Sequence, residues 1–314
     1  MDEASRRSAP APDVAVRRSR RFPGVRVLRF RSRGTESPFP RAVRGPGGLA
    51  AVVAAGALAA ACGGALSVTL PEGEATPAPE AVRHFTQATA ACAVTSRFSA
   101  ELAVSGRLGR DRVRGRLLAA TDREGRVRLE AVSGFGSPFF ILASDGEAVV
   151  LFLPRDGRVL RHAVLAEVLD ALAGLALDGR DLHALLTGCL VPDAEPANGR
   201  RLDRRFEVVD LGPGRLAVLR DGAPGVAWRL VSGQVGALRV AYGRFVGGRP
   251  RALRIAAGAA AGGRAVGLAL ELSQVEIDAP IDPRAWSVEV PPGAAPLALD
   301  ELRRLGLRVG AARG

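Results

Sequence analysis

From Ser99 onward the chain is a run of short alternating segments broken by Asp-Gly turns, and few folds accept that pattern. Ser99–Leu108 sets Ala100, Leu102, Val104 and Leu108 against Glu101, Ser105 and Arg107. That is the period of two expected of a strand with one face buried. Arg112–Ala120 and Gly125–Val132 repeat it, the latter with Val127 and Leu129 opposed to Arg126, Arg128 and Glu130. Pro138–Ala143 and Glu147–Leu153 are apolar on both sides, as strands covered on both faces are. Ser144-Asp145-Gly146 and Arg155-Asp156-Gly157 read as hairpin turns. Strands joined this tightly pair antiparallel, because a parallel crossover needs a dozen or more residues.

The period then changes. Val164–Ala176 and Asp178–Cys189 read as two helices joined by a short break, with Asp178 or Asp181 as N-cap of the second and Gly188 as its stop. Upstream, Glu80–Val94 places Val82, Phe85, Ala88 or Thr89, and Cys92 at helical spacing. Strands resume as Arg204–Asp210, Arg215–Arg220, Gly225–Val231, Val235–Val246, Arg251–Ala257 and Arg264–Ile277. In the last of these the apolar parity switches between Leu272 and Val275, so a bulge is expected near Ser273-Gln274. Trp286–Val290 reads as a final short strand and Leu299–Leu305 as a closing amphipathic turn or helix. The fold class is mainly β (α+β), with a strongly curved antiparallel sheet and a few short helices.

Gly47–Gly64, GGLAAVVAAGALAAACGG, is an uncharged run of small and aliphatic residues behind Arg41 and Arg44. It is short of the roughly 20 residues that span a bilayer and suits the core of a signal peptide. With Ala59-Ala60-Ala61 before Cys62 and Gly63-Gly64 after it, the run resembles a bacterial lipoprotein signal, although Ala59 stands where that box has Leu. The resemblance implies that Cys62 is acylated and becomes the mature N-terminus. The organisation expected is 1–61 as a disordered basic leader plus signal peptide, 62–80 as a lipid-anchored linker, and 81–314 as one domain. The leader is long for such a signal, and initiation near Val27 or Val43 is the plain explanation.

Charge excludes less than it first suggests. Of the net +12, residues 1–45 contribute +8 through twelve arginines against Asp2, Glu3, Asp13 and Glu36. The remainder is only mildly basic and poor in aromatics, so no nucleic-acid partner is expected. Every basic residue is arginine, a coding bias as much as a choice. Cys92 and Cys189 are read as two buried free thiols, with pairing left open. His84, His162 and His183 have no carboxylate or thiol near them in sequence and are read as solvated or capping groups. Gly-x-Ser-x-Gly, His-Glu-x-x-His and Gly-x-x-x-x-Gly-Lys are missing, and Gly134-Phe135-Gly136 lacks a third glycine and a helix to open. No enzyme, metal site or cofactor is expected.

What remains is apolar surface. A curved antiparallel sheet of this size either closes on its own side chains or encloses a ligand cavity. The inward set expected is Leu102, Val104, Leu129, Leu151, Leu153, Trp228, Leu230, Val240, Leu268 and Leu270. Such a lining suits acyl chains, at about 0.8 kcal/mol per buried CH₂; a filled core is the alternative. Phe135, Phe139 and Phe140 crowd a Gly- and Pro-bearing turn in Ser133–Leu142, which reads as a membrane-contacting loop or as aromatic packing at the sheet edge.

The run RLEAVSGFGSPFFILASDGEAVVLFLPRDGRVLRH, the helices ending HALLTG, and the C-terminal IDPRAWSVEVPPGAAPLALDELRRLG together resemble the LolA/LolB lipoprotein-localisation superfamily. The likeness spans roughly Phe98 to Gly306. It implies an open β half-barrel lidded by helices, a cavity for lipid or lipoprotein acyl chains, and a chaperone-like role in lipoprotein transport. Cys62 favours the anchored, LolB-type form in the outer membrane, facing the periplasm, and Gly63 is unlike the acidic retention signal of some inner-membrane lipoproteins. A structural or scaffolding envelope lipoprotein with a protein partner is the alternative.

Overall fold

The computed structural model describes residues 68–132, 138–222, 228–258 and 265–305, all within one compact unit, Ala60–Gly314. The basic leader, the signal run with Cys62, and Phe135 lie outside the described residues. Strand β1 (Ala75–Pro77) precedes helix α1 (Glu80–Ala93). Six strands follow: β2 (Arg97–Leu108), β3 (Asp111–Asp122), β4 (Val127–Val132), β5 (Phe140–Ser144), β6 (Val149–Leu153) and β7 (Arg158–Ala163). Helices α2 (Leu165–Ala173) and α3 (Gly179–Thr187) separate these from a second series. That series is β8 (Gly199–Leu202), β9 (Phe206–Gly212), β10 (Arg215–Arg220), β11 (Arg229–Val235), β12 (Leu238–Gly243), β13 (Ala252–Ala257) and β14 (Val266–Ile277). A 3₁₀ turn (Pro283–Trp286), β15 (Ala295–Pro296) and α4 (Leu299–Leu305) complete the described chain.

All fifteen strands form one sheet, ordered β1-β8-β9-β10-β11-β12-β13-β14-β2-β3-β4-β5-β6-β7-β15. Two meanders are joined where β14 returns to pair with β2, Leu270 opposite Val104. Among the described strands only β15 runs parallel to its neighbour. The sheet is curved and unclosed, with a two- or three-residue strand carrying a proline at each end, Pro77 in β1 and Pro296 in β15. Short, proline-bearing edges offer little backbone for another chain to pair with.

One face of the sheet meets the helices. From β2 to β14 the inward residues belong to a single core cluster with Phe85 of α1, Val168 and Leu172 of α2, Leu185 and Leu186 of α3, and Leu302 of α4. Helix α1 lies across β8–β11, α3 against β3, and α2 against α4. The Asp178 side chain caps α3 by accepting from Asp181 N, and Gly188 ends it in the left-handed region, so Asp178 rather than Asp181 is the cap.

Three sequence expectations need correction, and a fourth, the bulge in the last long strand, is met. Within the stretch read as a linker to residue 80, Ala75–Pro77 pairs with β8 and Ala78 is buried. Leu70 also packs on Leu202, Val208 and Val218, because the first apolar residues of that stretch have exposed sheet to cover. Strand β11 runs through Ser232-Gly233-Gln234 and turns instead at Gly236. Gly233 stays in the ladder because Leu190 sits over it, 2.2 Å from where a Cβ would stand. Trp286–Val290 is no strand: Asp282 caps a 3₁₀ turn that buries Trp286, and Arg128 holds the Ala285 and Ser287 carbonyls. The bulge in β14 is present, between Ser273 and Glu276, with Gln274 at φ 50°. It returns Val275 and Ile277 to the core side.

Candidate functional site

The inner face is organised in rows that run across the strands. One row carries Val209, Ala217, Gly233, Val240, Ile255, Leu268 and Gly106; the next carries Tyr242, Leu253, Leu270 and Val104. On the other half, Ala119, Leu129, Leu142, Leu151 and Leu160 form the equivalent row. Leu102, Leu129, Leu151, Leu153, Leu230, Val240, Leu268 and Leu270 are all buried in the main cluster, and Val104 and Trp228 pack against it half-buried. The ten residues expected to face inward therefore meet on one surface.

That surface is covered unevenly. At β8–β11 the helix side presses close: Gly199 leaves 2.6 Å between its would-be Cβ and Ala81, and Leu190 fills the space over Gly233. At the β2–β3 hairpin the inner face opens. Val104, Val113 and Leu117 are half-buried, Gly115 opposite Val104 is exposed, and a Cβ built on Gly115 touches nothing within 4 Å. Among the described residues, the apolar interior thus has an uncovered end on these two long strands.

A polar clamp fixes α1 over the covered end. His84 Nδ1 lies 2.7 Å from Glu207 Oε2, and Arg201 donates to Glu207 Oε1 at 2.5 Å and to Glu80 Oε1 at 2.9 Å. Glu207 projects from β9 into the core face and is fully buried, a costly position for a carboxylate unless it is paired. Its hydrogen bond raises the Arg201 guanidinium above its usual pKa. His84 also stacks on Trp228, centroids 5.1 Å apart. Sequence reading left His84 without a carboxylate because Glu207 lies 123 positions away.

Two further expectations change here. Cys92 and Cys189 are not free thiols but a disulfide, Cα–Cα 5.8 Å, joining the end of α1 to the residue after the α3 cap. Phe140 opens β5 and is buried in the core, so it cannot contact a membrane; Phe139 is half-buried beneath the Arg155 guanidinium, 3.9 Å from its ring centroid. These two phenylalanines follow the aromatic-packing reading. His183 is buried, its ring nitrogens 2.9 Å from Thr121 Oγ1 and 3.1 Å from Thr95 O, and burial pushes its pKa down. Among the described residues no three His, Cys, Asp or Glu side chains gather as metal ligands, and no helix is long and apolar enough to cross a membrane.

Fold and site define a class: an open antiparallel β half-barrel with a helical lid over an apolar inner face. No protein-family model matches the chain, and no curated protein matches it. Similar solved structures include a LolA superfamily protein from Nitrosomonas europaea, at 10% identity over 66% of this chain and 96% of that one, TM-score 0.40. A DUF1329 family protein from Desulfovibrio piger shares 12% identity over 68% and 98%, TM-score 0.37. The Mycobacterium tuberculosis lipoprotein LppX shares 9% over 65% and 98%, TM-score 0.29.

Proposed function

We propose that this protein is a non-enzymatic envelope lipoprotein that takes acyl chains against the inner face of its half-barrel and assists lipid or lipoprotein transfer. The observation that carries this is the uncovered end at β2–β3, where Val104, Val113 and Leu117 leave aliphatic surface half-exposed beside Gly115. Each methylene laid there gains about 0.8 kcal/mol, and the aliphatic side chains of Val104, Val113 and Leu117 favour chains over headgroups. Acylation at Cys62 would tether the domain, and the outer membrane is the membrane we assign, on the residue Gly63. The Cys92–Cys189 disulfide supports an oxidising compartment such as the periplasm.

A scaffolding role with a protein partner is the second reading, and the fully buried Leu151, Leu153 and Val240 favour it, since side chains packed this closely leave no room beside them. Native mass spectrometry of the chain from Leu66 onward, before and after organic extraction, separates the two. Bound species of fatty-acid or phospholipid mass that vanish on extraction support the carrier. A bare protein that also ignores a fluorescent acyl probe leaves the scaffold.

A further inference from the structure

The outer face of β12, β13, β14, β2 and β3 carries a field of arginines that nothing among the described residues balances. Register sets Arg239, Ala256, Gly267, Arg107 and Arg112 in one row, and Arg254, Ala269, Ser105 and Arg114 in the next. Arg107 stands directly opposite Arg112, a like-charge cross-strand pair that opposes folding. Arg112 and Arg114 share a face two residues apart, about 7 Å along the strand. Arg112, Arg114, Arg239 and Arg254 are exposed, and none of these five arginines makes an ion pair among the described residues. The acids of this face nearest these rows are engaged elsewhere, Glu101 with Arg116 and Glu271 with Arg244.

Coding bias accounts for arginine in place of lysine but not for this placement. Several other sheet arginines sit beside carboxylates: Arg201 by Glu207, Arg200 by Asp210, Arg128 by Glu130, Arg215 by Asp181. Between the unbalanced arginines stand only small residues, Ala103, Ser105, Ala256, Gly267 and Ala269, so the guanidinium groups project above a smooth sheet. A surface without aromatic anchors or a pocket lacks the hot spots of a protein interface. A planar array of anions suits it.

The N-terminal part of the chain arrives on the same face. Leu70 packs on Val208 and Val218, which continue outward-facing rows through Ser232 and Ala241 to Arg254. Cys62 precedes Val68 by six residues, at most about 20 Å of extended chain. We infer that this outer face docks on anionic lipid headgroups, turning the open inner face away from the bilayer surface. The orientation rests on the anchored reading of Cys62; the headgroup binding does not.

The test uses the full-length, unacylated chain sedimented with phosphatidylcholine vesicles, with and without phosphatidylglycerol. Its pairs of variants are R112Q/R114Q and R239Q/R254Q, with R180Q on α3 as control, and the leader's arginines are common to all. Binding should require phosphatidylglycerol, weaken with salt, and fall roughly 25-fold for each pair, with R180Q unchanged. The substitutions are on exposed side chains and remove a repulsion, so melting temperatures should hold or rise. Binding that is equal in both lipids, unaffected by both pairs, or lowered as much by R180Q overturns the inference. Retained binding of a fluorescent acyl probe by all variants shows that such a failure belongs to the docking face and not to the apolar interior.

Discussion

His84 of α1 and Glu207 of β9 meet at 2.7 Å over a carboxylate with no exposed side-chain surface. The clamp is asymmetric, because Arg201 is 39% exposed. Removing Arg201 strands a buried carboxylate with only the imidazole beside it, whereas removing Glu207 leaves a guanidinium that can turn to water. Arg201→Ala should therefore cost about 3–5 kcal/mol, and His84→Ala about 1–3 kcal/mol for one lost hydrogen bond to a charged group. Glu207→Gln should fall between wild type and Arg201→Ala. Urea unfolding followed by far-ultraviolet circular dichroism measures all three, and equal losses for Arg201→Ala and His84→Ala would refute the asymmetry.

The disulfide ties Cys92 to Cys189 across a separation of 97 residues. A cross-link of that span removes much chain entropy from the unfolded state, and deleting it should cost about 2–5 kcal/mol. The double variant C92A/C189A should melt well below the oxidised protein, and reduction of the wild type should bring the two curves together. Coincident curves before reduction would mean the cross-link contributes no stability.

Acid should destabilise the fold in two stages. Burial holds His183 below its ordinary pKa, so in the folded state the ring stays neutral where the unfolded chain takes up a proton. Below a pH of about 6.5 the unfolded state binds the extra proton and stability drops. Asp278, accepting from Arg97 N and Ser96 N, and Asp145, accepting from Ala148 N and Glu147 N, are held below the usual carboxylate range. Their contribution is present at neutral pH and is lost as the pH falls below about 4. His183→Gln should flatten the first stage and leave the second. A denaturant midpoint that falls between pH 7 and 5 as steeply in the variant as in the wild type would assign the first stage to another group.

Much of the sheet could be read from residue pattern, because alternation and Asp-Gly turns are local signals. Strands β2 to β6, helix α3 with an aspartate cap at Asp178 or Asp181, and the β14 bulge all follow from residues within a few positions of each other. What escaped was set by distant partners. Strand β1 exists because β8 offers an edge, β11 holds its line through Gly233 because Leu190 comes down on it, and Trp286 turns into the sheet because Arg128 grips the backbone beside it. The same holds for the site. The inward face was legible from parity, while the clamp on Glu207, the Cys92–Cys189 bond and the burial of Phe140 depend on which elements pack together.

Glycine provides the sharpest test of where the interior is open, because two inner-face glycines have opposite surroundings. Gly233 has Leu190 at 2.2 Å from its would-be Cβ, whereas Gly115 faces open space. Gly233→Ala must displace Leu190 or the strand and should cost about 1–3 kcal/mol, as overpacked cores do. Gly115→Phe sets its Cβ in open space, and a β-favouring residue in place of glycine should leave stability unchanged or raise it by up to about 1 kcal/mol. Its ring would lie beside Val104 and Leu117 and take the place of roughly two methylenes of a bound chain, weakening acyl-probe affinity about tenfold. The two variants thus separate stability from binding: titration of the probe against Gly115→Phe should show the loss while its melting curve does not. Undiminished probe binding in a well-folded Gly115→Phe protein would place the acyl chain away from the β2–β3 end, or nowhere on the inner face.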